Sequence, residues 1–267
     1  MQVRFASLML RVQDLTAGKN VYYHPNPGNW GDGLIMAGTR RFLADAGIEY
    51  TECYYKKIRS PKILRSPEWL RRIDKNSSVL IYGGGGGWCN LWDISDYVSH
   101  LSRYFSRTIV LPSTFELKPK LRNGVLYCRD KYESQEMSGA ECFDDMAFYL
   151  GRRPGSAAGK GIGNFFRTDA ESAGRLTVPA NNRDISLENN YLYPEQDFFA
   201  ALAGFDTIHT DRLHVSIASC LLGKSVTIYP GSYFKNRAVF RSSMQGEFSL
   251  ASFILDSSPV TSADSPS

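Results

Sequence analysis

The sequence predicts an α/β fold made of two doubly wound halves, each with a mostly parallel sheet. Short runs of β-branched and aromatic residues alternate with longer helical patterns along the chain, and such alternation is typical of a parallel sheet covered by helices. The alternation restarts after 151–160, a stretch rich in Gly, Pro and Ala that is typical of a linker. We therefore predict a domain at 1–152, a linker at 153–160, a second domain at 161–245 and a tail at 246–267.

The first half contains five predicted strands and three predicted helices. Apolar and β-branched runs place the strands at 21–23, 48–55, 78–82, 108–111 and 124–128. The helices are expected at 32–46, 94–105 and 131–137, the first of them ending at Gly47. This order puts a loop at 24–31 before the first helix and five glycines, 83–87, directly after the third strand.

The second half repeats this arrangement on a smaller scale. Strands are predicted at 161–166, 207–209 and 225–229, and helices at 194–203 and 212–222. A polar insert at 168–192 follows the first of these strands. Leu213, Ile217 and Leu221 recur every four residues, which predicts an amphipathic helix packed on the sheet.

The composition indicates a packed globular protein. Hydrophobic residues make up 43% of the 267 residues and charged residues 22%, which is enough apolar material for a core. Lys and Arg total 31 against 27 Asp and Glu, and the resulting net charge of +4 is too small to predict nucleic-acid binding. A net charge of this size is also compatible with an enzyme that acts on anionic substrates.

The cysteines and the N-terminus bear on the compartment. Five cysteines lie far apart without a CxxC pair, so the sequence predicts neither a zinc site nor a disulfide framework. We expect no metal and a reducing, cytoplasmic location. The apolar patch at 5–10 is bracketed by Arg4 and Arg11 and is too short for a membrane span or a signal segment.

The first glycine-rich loop is a candidate ligand site. Asn29-Trp30-Gly31-Asp32-Gly33 follows a predicted strand and opens a helix, so its glycines allow a ligand to approach backbone N–H groups. A turn with Asp32 as a helix cap, and no ligand, explains the same residues. The loop lacks both the G-x-G-x-x-G spacing of a dinucleotide site and the Gly-Lys-Ser/Thr ending of a nucleotide P-loop. NAD or ATP binding is therefore disfavoured.

Five consecutive glycines follow the third strand at 83–87. Each costs roughly 0.5–1 kcal/mol relative to alanine in a regular element, so the run indicates positive φ or a neighbour pressed against bare backbone. At the carboxyl end of a core strand it faces the crevice in which open α/β sheets bind ligands. Gly84, Gly85 and Gly86 are therefore candidate substrate contacts, with a flexible strand-to-helix loop as the alternative.

The segment Thr210-Asp211-Arg212-Leu213-His214 places an acid, a fixed cation and a titratable base at a predicted helix start. Helix N-termini attract anions, which predicts half of an active site for a phosphate- or carboxylate-bearing substrate. Arg167, at a strand end, is a second clamp because its planar fork binds two oxygens, unless it pairs with Asp169. His214 is either a reactive group or a core residue. Secondary histidine candidates are His24 and His209.

These motifs together resemble the polysaccharide pyruvyl transferase family. The matching features are, in chain order, Asn29-Trp30-Gly31-Asp32, the glycines 83–87, Val125-Leu126-Tyr127-Cys128-Arg129-Asp130, Asp145-Met146-Ala147-Phe148, Arg167 and Asp211-Arg212-Leu213-His214. The resemblance covers most of the chain from about 21 to 229. The ordered set is far more specific than any single motif.

The resemblance implies two Rossmann-like halves facing a central cleft, as in GT-B glycosyltransferases. It also implies transfer of a pyruvyl group from phosphoenolpyruvate, as donor substrate, to a sugar of a glycan, with no cofactor. Arg167, Arg212 and the adjacent Leu213 match donor-binding positions, and His214 matches the candidate acid. Asp32 or Asp211 is expected to accept the hydroxyl proton, unless both are only helix caps. A lipid-linked acceptor would bring the protein to a membrane surface.

Two other functions stay open on the sequence alone. A GT-B-like glycosyltransferase has the same architecture and predicts a larger thermal shift with UDP- or GDP-sugars than with phosphoenolpyruvate. A non-catalytic descendant that binds an anionic sugar or a partner protein is consistent with the short chain. The insert 168–192 and the loop around Trp88 and Trp92 are candidate places for an acceptor sugar to stack, with core packing of the aromatic residues as the equal alternative.

Overall fold

The computed structural model describes residues 2–54, 68–153, 159–174 and 178–254. Within them the chain forms two compact units. The first contains the chain up to Asn26 together with Gly38–Tyr149, and the second contains Pro27–Ala37 together with the chain from Leu150 onward. Residue 55 of the second predicted strand, 154–158 of the predicted linker and 255–267 of the predicted tail lie outside the described residues.

The first unit is built on a seven-stranded sheet whose paired strands are all parallel. Its strands are β1 (Asn20–His24), β2 (Thr51–Glu52), β3 (Ser78–Tyr82), β4 (Gly85–Trp88), β5 (Arg107–Phe115), β6 (Gly124–Cys128) and β7 (Glu141–Cys142). Their order is β2-β1-β3-β5-β6-β7, and β4 also pairs with β5. All five residues of β3 are buried, as expected for a strand covered on both faces.

The helices before residue 150 include two, α1 (Ala6–Thr16) and α3 (Glu68–Arg71), that the sequence patterns did not predict. They are α1 (Ala6–Thr16), α2 (Trp30–Asp45), α3 (Glu68–Arg71), α4 (Ser95–Ser102) and α5 (Glu133–Ser138), with 3-10 turns at Gln2–Phe5, Lys75–Ser77 and Met146–Leu150. In α1, the buried residues are Leu8, Val12 and Thr16, whose spacing of four puts them on one face. No helix among the described residues is long and apolar enough to cross a membrane.

The glycine run connects β3 to β4 through Gly83 and Gly84 and continues as the first three residues of β4. β3 pairs with the first half of β5, whereas β4 pairs with Ser113 and Phe115 further along the same strand. Gly84 and Gly85 have φ of 78° and 107°, and a Cβ on Gly84 would lie 2.7 Å from the Pro112 carbonyl oxygen. Left-handed backbone and close packing against β5 therefore account for glycine at these positions.

The second unit contains a four-stranded parallel sheet. Its strands are β8 (Ile162–Asn164), β9 (Thr207–Thr210), β10 (Ser225–Ile228) and β11 (Ala251–Phe253), in the order β11-β10-β9-β8. Its helices are α6 (Glu195–Ala203), α7 (Leu213–Leu221) and α8 (Lys235–Val239), with a π-helical turn at Phe240–Met244 and a 3-10 turn at Ile185–Leu187. The predicted fold class, Rossmann-like with mostly parallel sheets, is confirmed.

Two boundaries differ from the predicted domains. β11 lies inside the predicted tail, and its register aligns Ala251 with Val226 and Phe253 with Ile228. A three-residue strand is too short to show a period in the sequence, so only its pairing reveals it. Residues 27–37, predicted in the first domain, belong to the second unit, and α2 therefore contributes residues to both units.

Candidate active site

The ends of β8 and β9 bring the two predicted clamp arginines together in the second unit. The Thr210 hydroxyl donates to the Phe165 carbonyl (2.7 Å) and accepts the Arg212 N–H (2.9 Å). The Asp211 carboxylate accepts the Arg167 N–H at 2.8 Å. These bonds fix the backbone of both arginines at adjacent carboxyl ends of parallel strands, the edge at which α/β sheets bind ligands.

Both guanidinium groups converge on the carboxylate of Asp169. Arg167 binds it with two nitrogens, Nε to Oδ1 at 2.7 Å and Nη2 to Oδ2 at 3.0 Å, and Arg212 adds Nη2 to Oδ2 at 2.9 Å. Burial raises the pKa of Asp169, but the hydrogen bonds and charges of Arg167 and Arg212 outweigh it and hold this pKa well below its usual range. Asp169 is therefore an ionised carboxylate held by a two-arginine clamp.

Further charges close this group into a network. Glu171 accepts from Arg167 Nη1 at 2.6 Å and from Lys235 Nζ. Asp184 accepts from Arg212 Nη2 at 2.7 Å and also from its Nε. Sequence reasoning considered only Asp169 as a partner. Glu171 was detectable because it lies four residues after Arg167, whereas Asp184 and Lys235 are distant in sequence and come close only through the fold.

We call this group the ion network, and its members are Arg167, Asp169, Glu171, Asp184, Arg212 and Lys235. The side chains of Arg167 and Arg212 are only 5% and 4% exposed, and that of Asp169 is 17% exposed. Three cations thus face three carboxylates in a largely dehydrated setting, where charge-assisted hydrogen bonds are strong. In this arrangement the guanidinium groups of both arginines are paired with carboxylates of the chain itself.

Asp211 is a second kind of carboxyl group at the same strand ends. It is 1% exposed, and burial raises its pKa to about 6, against the opposing effects of the Arg167 N–H and the two arginine charges. Its main-chain carbonyl accepts a hydrogen bond from Asn236 Nδ2. Asp211 therefore holds the Arg167 backbone in place and titrates close to neutrality.

His214 lies in the first turn of α7. The helix begins at Leu213, which is 4% exposed, and Arg212 before it is extended (φ −95°, ψ 119°), so Arg212 still belongs to the loop. His214 is half-buried and is not a core residue. A Cβ on Gly31 would lie 2.8 Å from His214 Nδ1, so the absence of a side chain at Gly31 makes room for the imidazole.

Asn29 and Asp32 cap the helix on which Gly31 lies. The Gly31 N–H donates to Asn29 Oδ1 at 2.8 Å, and the Asn29 N–H donates to Asp32 Oδ2 at 3.0 Å. This reciprocal pattern is a capping box with Asn29 as the N-cap and Asp32 three residues later. The prediction of Asp32 as the N-cap is therefore wrong, because the helix starts at Trp30, two residues earlier than predicted.

The same segment is anchored to α6 through Trp30. Its ring meets Phe198 edge to face at 5.3 Å, and its Nε1 donates to the Pro194 carbonyl at 3.3 Å. Asn29, Gly31, Asp32 and His214 consequently lie in the second unit with the ion network.

The remaining predicted residues lie elsewhere. Gly84, Gly85 and Gly86 belong to the first unit, where positive φ at Gly84 and Gly85 and the packing of Gly84 against β5 give a structural reason for glycine at those two positions. Trp88 is fully buried, whereas Trp92 is 51% exposed, so of the two tryptophans only Trp92 offers a face for stacking.

Two α/β units with parallel sheets, one of them carrying a buried cluster of ion pairs beside a helix start, define a Rossmann-like protein. The sequence profile described as polysaccharide pyruvyl transferase matches residues 29–232, and the chain belongs to this family. A solved structure of a functionally uncharacterized protein from Klebsiella pneumoniae subsp. pneumoniae NTUH-K2044 is similar, with 28% identity and a TM-score of 0.73 over 94% of this chain and 98% of that one. No curated protein matches the chain.

Proposed function

We propose that this protein transfers a pyruvyl group from phosphoenolpyruvate to a sugar of a polysaccharide or glycan, forming a pyruvate ketal and releasing phosphate. One observation carries the proposal: Arg167 and Arg212 both bind a single carboxylate, that of Asp169, and Arg212 lies two residues before His214 in the chain. Family membership supports the same reaction class.

The donor binds through its two anionic groups. Phosphoenolpyruvate carries a carboxylate and a phosphate on one small carbon frame, and planar guanidinium groups bind both kinds of group with paired hydrogen bonds. Arg167 and Arg212 hold these groups, and the N-terminus of α7 at Leu213 adds backbone dipoles. The cations also stabilise the charge that develops on the departing phosphate.

His214 supplies the proton that starts the reaction. In its imidazolium form it protonates the methylene carbon of phosphoenolpyruvate, which becomes the methyl group, and the central carbon becomes electrophilic. One sugar hydroxyl forms a C–O bond to that carbon, phosphate leaves with its bonding electrons, and a second hydroxyl closes the ketal. Of the two hydroxyl protons, one restores the imidazolium and the other leaves on phosphate.

Two carboxyl groups are candidates for relaying a hydroxyl proton. Asp211 has its pKa raised to about 6 by burial, which suits a proton acceptor near neutrality, and it already touches the Arg167 backbone. Asp32 is half-buried and therefore more accessible, but its Oδ2 accepts the Asn29 N–H. Comparing pH–rate profiles of Asp211→Asn and Asp32→Asn separates the two.

The location proposed for this reaction is the cytoplasm, on a free or lipid-linked glycan. The five cysteines form no disulfide among the described residues and four of them are buried, which is compatible with a reducing compartment.

The test incubates the protein with phosphoenolpyruvate and a panel of hexoside acceptors. We expect phosphate release together with an acid-labile ketal on one acceptor. Arg212→Ala and His214→Ala should abolish both signals, while Arg183→Ala and His209→Gln, in the same unit but outside the ion network, should retain them. Activity that survives in both Arg212→Ala and His214→Ala contradicts the assigned roles. Transfer from UDP- or GDP-sugars instead would contradict the donor.

A further inference from the structure

The turn after β8 carries two carboxylates of the ion network on the same short stretch as Arg167. Asp169 Oδ1 accepts the Glu171 N–H at 3.1 Å, and the Asp169 carbonyl accepts the Ser172 N–H at 2.9 Å. The turn is thus a compact unit that holds Asp169 and Glu171 in one orientation.

The six members of the ion network carry no net charge among themselves, which matters for any incoming anion, and Asp211 beside Arg167 adds a negative charge when it is ionised. Arg167, Arg212 and Lys235 contribute three positive charges, and Asp169, Glu171 and Asp184 contribute three negative charges. An additional anion therefore gains little until one carboxylate leaves. Without Asp169 the remaining group has one excess positive charge, and two guanidinium groups point at the vacated position.

The geometry singles out Asp169 as the carboxylate that leaves. Its side chain is 17% exposed, against 8% for both Glu171 and Asp184. Asp184 is held more firmly, because it also accepts from the Thr168 N–H (2.6 Å) and the Thr168 hydroxyl (2.9 Å). Asp169 alone lies between both arginines, which is the position a bound carboxylate or phosphate would take.

We propose that Asp169 is an internal anion that holds Arg167 and Arg212 in their binding geometry, and that the donor anion must displace it from between them. This inference rests on the function proposed above for the same site. Asp169 is then a positioning residue: it preorganises the clamp and lowers the apparent affinity for the donor by competing with it. Lys235, linked through Glu171, becomes a third cation close to the bound anion.

The first test measures binding of inorganic phosphate to the full chain by isothermal titration calorimetry. We expect Asp169→Asn to bind phosphate at least about tenfold more tightly than the unmodified protein, because the competing charge is gone. Glu188→Gln is the matched control, since it removes one charge from an exposed pair with Arg183 in the same unit. This control should change the affinity less than about twofold.

A second variant separates displacement from general charge removal. Asp184→Asn also removes a carboxylate from Arg212 but leaves Asp169 in place, so we expect no gain in phosphate affinity. An equal gain in Asp184→Asn and Asp169→Asn overturns the inference. The inference is also overturned if Asp169→Asn binds phosphate no more tightly than the unmodified protein does, or if neither of these two proteins binds phosphate.

A measurement on the unmodified protein covers the case in which Asp169→Asn fails to fold. The Glu171 N–H donates to Asp169 Oδ1 in the structure, so displacement of Asp169 breaks this hydrogen bond. Saturating phosphate should therefore accelerate hydrogen–deuterium exchange at the Glu171 N–H. Unchanged or slower exchange there overturns the inference. Neither experiment needs an acceptor sugar or turnover. A protein that forms no ketal can therefore be distinguished from one in which phosphate does not displace Asp169.

Discussion

Gly31 allows the position of His214 to be tested with a single methyl group. A Cβ on Gly31 would lie 2.8 Å from Nδ1 and 3.0 Å from Cβ of His214, and 3.0 Å from Oδ1 of Asn29. Gly31 lies in α2 and its φ is not positive, so alanine fits its backbone. Gly31→Ala therefore disturbs the neighbours of Gly31 and leaves the helix path unchanged.

The expected size of the effect follows from these distances. Ordinary contact begins at 3.4 Å, so the imidazole has to retreat by about 0.6 Å. A displacement of about 1 Å in a reacting group can cost about 100-fold in rate, and we expect kcat to fall roughly 10- to 50-fold. Overpacking should lower the free energy of unfolding by about 1–2 kcal/mol, partly offset by the higher helix propensity of alanine.

The assay follows phosphate release from phosphoenolpyruvate at saturating acceptor, with thermal unfolding in parallel. Gly204→Ala is the matched control, because a Cβ there meets nothing within 4 Å and its φ is −66°. The control should keep the kcat of the unmodified protein. An unchanged kcat in Gly31→Ala would refute the assignment of His214 as the reacting group.

Three further predictions concern stability, measured by urea unfolding. Asp211→Asn removes a carboxyl whose pKa rises to about 6 on folding. The native state binds this proton more tightly than the unfolded state, so ionisation of the carboxyl destabilises the fold as pH rises. Between about pH 4.5 and about pH 7.5, the free energy of unfolding of the variant should therefore rise by roughly 2 kcal/mol relative to that of the wild type. Arg129→Met removes the guanidinium that lies 2.6 Å from the fully buried Asp145 carboxylate and should lower the free energy of unfolding by about 3–5 kcal/mol. Arg183→Met at the surface should lower it by less than about 1 kcal/mol. Gly84→Ala should cost more than about 2 kcal/mol because of its φ and its contact with β5.

Each stability prediction has an outcome that contradicts it. Parallel pH curves for wild type and Asp211→Asn would show that the carboxyl titrates normally in the fold. Similar decreases in the free energy of unfolding for Arg129→Met and Arg183→Met would mean that burial does not determine how much these ion pairs contribute to stability. Full stability in Gly84→Ala with weakened donor binding would favour the original prediction of Gly84 as a substrate contact.

The sequence located most regular elements because their patterns are local. Ser78–Tyr82 and Gly124–Cys128 match their predicted bounds to the residue, since continuous apolar or aromatic runs bounded by polar residues and glycines identify buried strands. β4 was missed because glycine has no strand preference of its own, and only pairing with β5 makes Gly85–Trp88 a strand. β11 was missed because three residues show no period.

The sequence predicted the two arginines of the candidate site and named Asp169 as a partner of Arg167, but it did not predict Asp184 or Lys235. Arg167 and Arg212 follow strands in the sequence, so their convergence at one sheet edge could be inferred from topology. Asp184 comes from the polar insert and Lys235 from a short helix, and neither carries a local signal of its role. The position of Asp169 between the two arginines depends on the tertiary fold and cannot be read from local sequence. Because of it, the question for experiment is which anion the arginines release when a ligand binds.

The chain order of the second unit limits how it can be moved or reused. A gene fragment that begins at Leu150 encodes β8–β11, both clamp arginines and His214, but lacks Pro27–Ala37. That segment supplies Gly31, against which the imidazole packs, and the Trp30 anchor to α6. The unit is therefore not a contiguous module. Domain exchange between relatives has to carry an eleven-residue piece from the other half of the gene, or the grafted site arrives without the surface that orients its histidine.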